Sequence, residues 1–173
     1  MADRRSARRN LYGLPMRRLV VVLPLQVLAD GLGFTLRHWP LHVTVAPTFT
    51  VHTDLASVVS VVAPSLSAQP VLRVRAGRDE GFGRSMNRPA TVVEPSLELT
   101  DLHTRLVAAL RRLGAEFDHP DFLGAGYRAH VTKTRVESVV EGDLLELRQA
   151  AIVDMEPRGD QRLREVVWTT LLR

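Results

Sequence analysis

The sequence predicts an α+β fold made mainly of antiparallel sheet and divided into two related halves. Three observations carry that prediction. Short runs alternating apolar and polar residues recur along the chain between turn-forming segments, the period of half-buried strands. Two other segments repeat apolar residues at helical spacing. The tripeptide His-Val-Thr occurs twice, at 42–44 and 130–132, 88 residues apart in a chain of 173. Each copy lies in a predicted strand, as expected of a two-lobed, internally duplicated domain.

The elements follow in order. Residues 1–18 hold Arg4, Arg5, Arg8, Arg9, Arg17 and Arg18 against Asp3 alone, and lack an apolar pattern that would pack. They predict a disordered basic arm, and residues 19–173 a single bilobal domain. Leu19 to Leu23 is rich in β-branched residues and reads as a buried strand. Arginines followed by the apolar run from Leu19 to Ala29 also resemble a signal peptide, but Pro24 and Gln26 interrupt that run and it is too short to span a bilayer. A cytoplasmic protein is expected. Asp30 to Gly33 is turn chemistry. Leu41 to Phe49 alternates, placing Leu41, Val43 and Val45 on one face and His42 and Thr44 on the other. Thr53 or Asp54 caps a helix through Leu55, Val58, Val59 and Val62, expected to stop near Pro64.

Val71 to Ala76 alternates again, Gly77 to Gly83 reads as a hairpin connection, and Ala90 to Val93 as the returning strand. Ser96 or Thr100 opens the longest helix, whose Leu102, Leu106, Leu110 and Leu113 form one stripe before Gly114 ends it. Glu116 to Gly126 is predicted as loop. Tyr127 to Val136 reads as a strand with His130, Thr132 and Thr134 on one face. Asp143 to Leu147 is predicted as a short helix. Ala150 to Met155 and Glu165 to Leu172 form a closing antiparallel pair around Pro157-Arg158-Gly159-Asp160.

Charge and composition exclude several functions. The chain carries a net +4, but residues 1–18 account for +5, leaving the remainder at −1. The folded part is therefore not a generally basic nucleic-acid binder. Cysteine is absent, which rules out disulfides, thiolate metal sites and cysteine nucleophiles. Aromatic residues make up 5% of the chain, too few for a base-stacking platform of the usual kind.

The repeated motif carries the chemistry. In a strand, a histidine and the threonine two residues later share a face. A core histidine satisfied by a nearby hydroxyl would account for one copy. Two copies with the same central valine, half a chain apart, point to a site. Displacing one oxygen of a phosphodiester in line needs a base on the attacking oxygen and an acid on the leaving one, and histidine does both near neutral pH. Threonine hydroxyls can donate to the remaining phosphate oxygens. Which histidine is base and which is acid is not legible here. A reference histidine pKa of about 6.5 predicts a bell-shaped pH dependence across roughly pH 5–8.

Leu41-His42-Val43-Thr44-Val45 and His130-Val131-Thr132 resemble the paired His-x-Thr/Ser motifs of the two-histidine (2H) phosphoesterases. That superfamily includes the RNA 2′,3′-cyclic phosphodiesterases, also called 2′-5′ RNA ligases. The resemblance covers most of residues 18–173. It implies two pseudo-symmetric lobes whose antiparallel sheets line a central groove, with helices outside. It also implies an active site without metal or cofactor, in which His42 and His130 are catalytic and Thr44 and Thr132 bind phosphate. The substrate implied is an RNA end, an oligonucleotide or a cyclic nucleotide, joined through a 2′,3′-cyclic or 2′-5′ phosphodiester. Hydrolysis ranks above ligation because no nucleotide-activation motif is visible. A catalytically idle RNA-binding module and a phage-type degrader of cyclic or 2′-5′ signal molecules are the alternatives. A monomer is expected, with the arginine arm free to contact nucleic acid and no membrane association.

Other candidates surround the second motif. Tyr127 either stacks on a base or ribose, or packs with its hydroxyl at the rim. Arg128 precedes His130 in the same predicted strand. Lys133, the only lysine, stands where the family usually has an apolar residue. Either the strand leaves the core there or a cation is set near the phosphate. Arg73, Arg75, Arg78, Arg84 and Arg88 form either a phosphate-backbone face or an exposed strand face balanced by Asp79 and Glu80. His38 and His42 have the spacing of helical zinc ligands, but Pro40 between them argues against a helix. His52, His103 and His119 carry no pattern, and surface or capping roles suffice for them. Gly124 and Gly126 are too isolated to mark a nucleotide loop.

Overall fold

The computed structural model describes residues 13, 15–82, 85, 86 and 88–173. The first strand, β1 (Met16–Pro24), is buried on both faces, which explains its unbroken apolar run. It starts before Leu19, so Arg17 and Arg18 belong to it. Arg18 pairs with Asp118 and Glu156, and Arg17 lies 3.9 Å from Asp154. The rest of the expected arm lies almost wholly outside the described residues. Next come β2 (Gly33–Thr35), β3 (His42–His52) and helix α1 (Leu55–Ser67). The Asp54 carboxylate caps α1 by accepting from the Ser57 N–H at 2.7 Å.

The helix runs through Pro64 instead of stopping there. Pro64 is exposed, so water can reach the carbonyl it leaves unpaired, while Leu66 beyond it is fully buried and holds the last turn. Strand β4 (Leu72–Phe82) continues where a connection from Gly77 was expected. Its pairing with β5 (Arg88–Val93) runs on to Phe82 opposite Arg88, through a register shift between Ala76 and Asp79. Helix α2 (Leu97–Arg112) is capped by the Ser96 hydroxyl. It buries Leu99, Leu102, Leu106 and Leu110, each worth roughly 1.5–3 kcal/mol, and ends at Gly114 in the left-handed conformation (φ +83°).

The predicted loop after α2 contains β6 (Glu116–Phe117) and two 3₁₀ turns, Pro120–Phe122 and Gly124–Gly126. The second motif strand, β7 (His130–Thr132), is much shorter than expected, because Thr134 leaves the ladder to close a turn with Glu137. The predicted helix at Asp143–Leu147 is instead a strand, β8 (Leu144–Leu147). Five residues nucleate a helix poorly, whereas alternation buries Leu145 and Leu147 and supplies a partner for β4. Strands β9 (Gln149–Asp154) and β10 (Leu163–Leu171) pair as predicted.

All strand pairs are antiparallel, in the order β2-β10-β9-β1-β3-β7-β5-β4-β8, with β6 added on β3. The two lobes are β10-β9-β1-β3 and β7-β5-β4-β8, so they are not successive halves of the chain. The first lobe takes strands from both ends of the sequence, and the second is built from the middle. A single residue, Arg148, separates β8 from β9, although the strand order sets them far apart. One residue bridges about 7 Å at most, so the sheet curls into a half-barrel.

Helices α1 and α2 pack on each other, α1 against β10 and α2 against β3. The main core lies on their side of the sheet and includes Val43, Val131 and the α2 leucines. His42 and His130 therefore stand on the opposite face. No helix among the described residues is long and apolar enough to cross a membrane.

Candidate active site

The two motif strands are direct neighbours. Val43 of β3 lies opposite Val131 of β7 in antiparallel register, and both are buried in the core. One residue either way, the register sets His42 across from Thr132 and Thr44 across from His130. The four motif side chains thus share one small area of one face. Cross-strand neighbours in such a pair are about 4.5–5.5 Å apart and the diagonal, here His42 to His130, about 7–8 Å.

Each histidine is held in the same way. The Nδ1–H of His42 donates to the Pro40 carbonyl at 2.7 Å, and that of His130 to the Arg128 carbonyl at 2.9 Å. In both cases the acceptor is the carbonyl two residues back. A carbonyl can only accept, so the proton is fixed on Nδ1 and Nε2 is left for a ligand. Each ring also lies against an aromatic plate. Trp39 stacks on His42 at 4.8 Å between centroids, and Phe82 on His130 at 4.0 Å. An arginine covers each plate, Arg164 over Trp39 at 5.7 Å and Arg128 over Phe82 at 5.4 Å.

These surroundings set the protonation. Burial, reinforced by the charge on His130, lowers the pKa of His42 to about 4 against the pull of its Pro40 bond. Burial also lowers that of His130, with the Arg128 charge adding to the effect. Both imidazoles are neutral at pH 7 in the free protein. Thr44 is half-buried and Thr132 exposed, and neither hydroxyl makes a hydrogen bond among the described residues.

The remaining candidates divide. Arg128 is near the site, its guanidinium donating to Glu80 at 2.7 Å. Tyr127 supports the site from behind. Its hydroxyl donates to the Thr44 carbonyl at 2.9 Å, its ring stacks on His103 at 3.9 Å, and burial pushes its pKa up. Lys133 is not brought to the histidines. Alternation turns it away from Thr132, and its ammonium pairs with Asp79. Among the five arginines, Arg73 bonds Glu146, Arg75 the Gly142 carbonyl and Arg78 Glu80, which favours the exposed strand face. Arg84 lies outside the described residues.

A surface or capping role was expected of His103, but it is fully buried and bonds across elements. Its Nδ1–H donates to the Val45 carbonyl at 2.9 Å, and its Nε2 accepts from the Gly124 N–H at 3.1 Å. It ties α2 to the motif strand and to the turn before Tyr127. Sequence reading also missed Trp39, Phe82 and Arg164, whereas Glu80 was expected as a balancing charge and does pair with Arg78 and Arg128. Only Trp39, three residues before His42, was near enough to a motif to be found from sequence.

A model of the 2′-5′ RNA ligase superfamily matches residues 23–158. The search of curated proteins returned no match. Among solved structures, the chain is similar to LigT of E. coli complexed with 3′-AMP (TM-score 0.56, 14% identity, covering 91% of this chain and 99% of that one). It is similar to a phosphoesterase (TM-score 0.58, 14% identity, 91% and 99%) and to TT0787 of Thermus thermophilus (TM-score 0.55, 14% identity, 90% and 98%). These likenesses establish the fold, and the family match spans most of the chain and includes both motifs. The chain belongs to the 2′-5′ RNA ligase superfamily, the 2H phosphoesterases.

Proposed function

We propose that the protein is a metal-independent phosphodiesterase acting on a 2′-5′ or 2′,3′-cyclic phosphodiester of RNA, an oligonucleotide or a cyclic nucleotide. One observation carries the reading: two imidazoles with Nδ1 fixed and Nε2 free stand diagonally on one sheet face, with a threonine hydroxyl beside each. A phosphorus atom between them has a proton acceptor on one side and a proton donor on the other. Other E. coli LigT structures similar to this chain are complexed with phosphate, NADP+ or ATP, ligands that share the phosphoryl group.

His42 is the base, since its deeper burial keeps it neutral across the working pH range. Its Nε2 takes the proton of the attacking hydroxyl, either water or a neighbouring ribose oxygen. A P–O bond forms on that side as the opposite one breaks. His130, protonated when the phosphate anion supplies the charge that favours imidazolium, gives its proton to the leaving oxygen. Thr44 and Thr132 donate to the two non-bridging oxygens, where transition-state charge is borne. Hydrolysis ranks above ligation because the sequence carries no nucleotide-activation motif.

The test is a panel of 2′,3′-cyclic mononucleotides, 2′-5′ and 3′-5′ dinucleotides and cyclic oligonucleotides, run in chelator with products identified by mass spectrometry. Turnover of a 2′-linked or cyclic member is expected. Activity appearing only when one divalent ion is restored would overturn the mechanism.

A further inference from the structure

His42 and His130 are backed by the same three layers, imidazole on aromatic ring on guanidinium, but the two arginines are held differently. Arg164, behind Trp39 and His42, is 5% exposed, and its Nη1 donates to the carbonyls of Met155, Gln161 and Leu163. Arg128, behind Phe82 and His130, donates instead to a carboxylate, that of Glu80 at 2.7 Å. Among the described residues, Glu80 is the only carboxylate bonded into either stack.

Strand β4 supplies both the plate and the counter-charge. Residues two apart on a strand share a face, so Glu80 and Phe82 point the same way. The register carries that face across the sheet, with Glu80 opposite Ala90 and Ala90 opposite Thr132 of the motif strand. One Glu80 oxygen accepts from Arg128 and the other from Arg78, at 2.9 Å. These bonds, that of Arg128 first, hold the carboxyl below the usual carboxylate range, so it stays ionised.

The clamp bears on the acid. Burial first, and then the Arg128 charge, disfavour a proton on His130, yet His130 must carry one to the leaving oxygen. The other charged or titratable groups around it are His42, diagonal on β3, Arg78 on β4, and Arg88, opposite Phe82 on β5. Val92, directly opposite His130, is uncharged, and Asp79 lies on the other face of β4, paired with Lys133. We propose that Glu80 is a positioning residue for His130, holding the Arg128 guanidinium on Phe82 and balancing its charge, and so makes His130 the acid. The inference rests on the phosphodiesterase reading and deepens it.

The experiment measures kcat/KM for a 2′,3′-cyclic mononucleotide against pH in wild type, Glu80→Gln, Arg128→Gln and the double variant. The alkaline limb reports loss of the His130 proton. Glu80→Gln keeps the side-chain shape and leaves the Arg128 charge unbalanced, which at a separation of about 10 Å should move this limb down by about half a pH unit to one. On the alkaline side kcat/KM should fall about three- to tenfold, while the acid side matches wild type. Arg128→Gln, which retains the backbone carbonyl that holds His130, should move the limb up, and the double variant should return it close to wild type. The His130 Hε1 resonance, titrated by NMR, should shift in the same directions. An unmoved limb, an equal loss at every pH, or both single variants moving the limb the same way would overturn the assignment of Glu80 while turnover upheld the histidine mechanism. A wild type inert on the cyclic substrate and on the rest of the panel would instead overturn the phosphodiesterase reading, and the role of Glu80 with it.

Discussion

His42 and His130 are each tethered through Nδ1, plated by an aromatic ring and pushed toward neutrality by burial. The first expectation is that His42→Ala and His130→Ala each lower kcat by about 10²–10⁴-fold with the fold retained, measured by kinetics alongside circular dichroism. Thr44→Ala and Thr132→Ala should lower it by about ten- to a thousandfold. Near-normal turnover in either histidine variant would end the two-histidine account.

The second expectation replaces the pH 5–8 bell expected from reference values. In the free protein His42 must lose its proton, near pH 4, and His130 must keep one, below the usual 6.5. The kcat/KM profile should therefore peak on the acid side of pH 6.5, and kcat, measured with anionic substrate bound, should extend further toward alkaline pH. Identical profiles for the two parameters would contradict this. Stability follows the same sign. Below pH 6.5 the unfolded chain takes up protons that the folded histidines resist, so stability declines as pH falls from about 6.5 toward 4.

At the scale of elements, the short second motif strand depends on the turns that deliver it. A Cβ at Gly126 would meet the Asp121 carbonyl oxygen at 1.9 Å, a backbone atom that cannot move aside alone. The next residue, Tyr127, links this turn to the Thr44 carbonyl, and the Gly124 N–H links it to buried His103. Gly126→Ala should therefore cost about 1–3 kcal/mol in denaturant unfolding and lower kcat, although Gly126 lies well outside the motif. Loss of neither would mean that the turn adapts without disturbing His130. The two glycines mark a packed turn, not a nucleotide loop.

For the molecule as a whole, β1 takes up the last two arginines of the expected basic arm. Arg17 and Arg18 are committed to acidic partners, leaving a net +3 in residues 1–12. We propose that this segment contributes only through charge. Deleting residues 1–12 should leave cyclic mononucleotide turnover near wild type. On single-stranded RNA it should flatten the salt dependence of binding by up to about 2 in log–log slope, at roughly 0.7 for each phosphate no longer neutralised. An unchanged slope would show that the arm does not touch RNA.

The amino-acid order alone determined the α+β class, most strands, both helices with two candidate caps each, and the four motif residues. Each of these rests on local periodicity or on a tripeptide whose geometry is set by a strand. Sequence could not tell that β8 is a strand, since four residues suit either form until β4 offers an unpaired edge. Nor could it show that the N- and C-terminal strands join in one lobe. Phe82 and Arg164 acquire their roles only through contacts between segments distant in the chain, and composition records no such contacts. The diagonal pairing of His42 with His130 likewise follows from one register, Val43 against Val131. That register is chosen by the common core on the far face of the sheet, where both valines must be buried together, and so tertiary packing decides how the histidines meet.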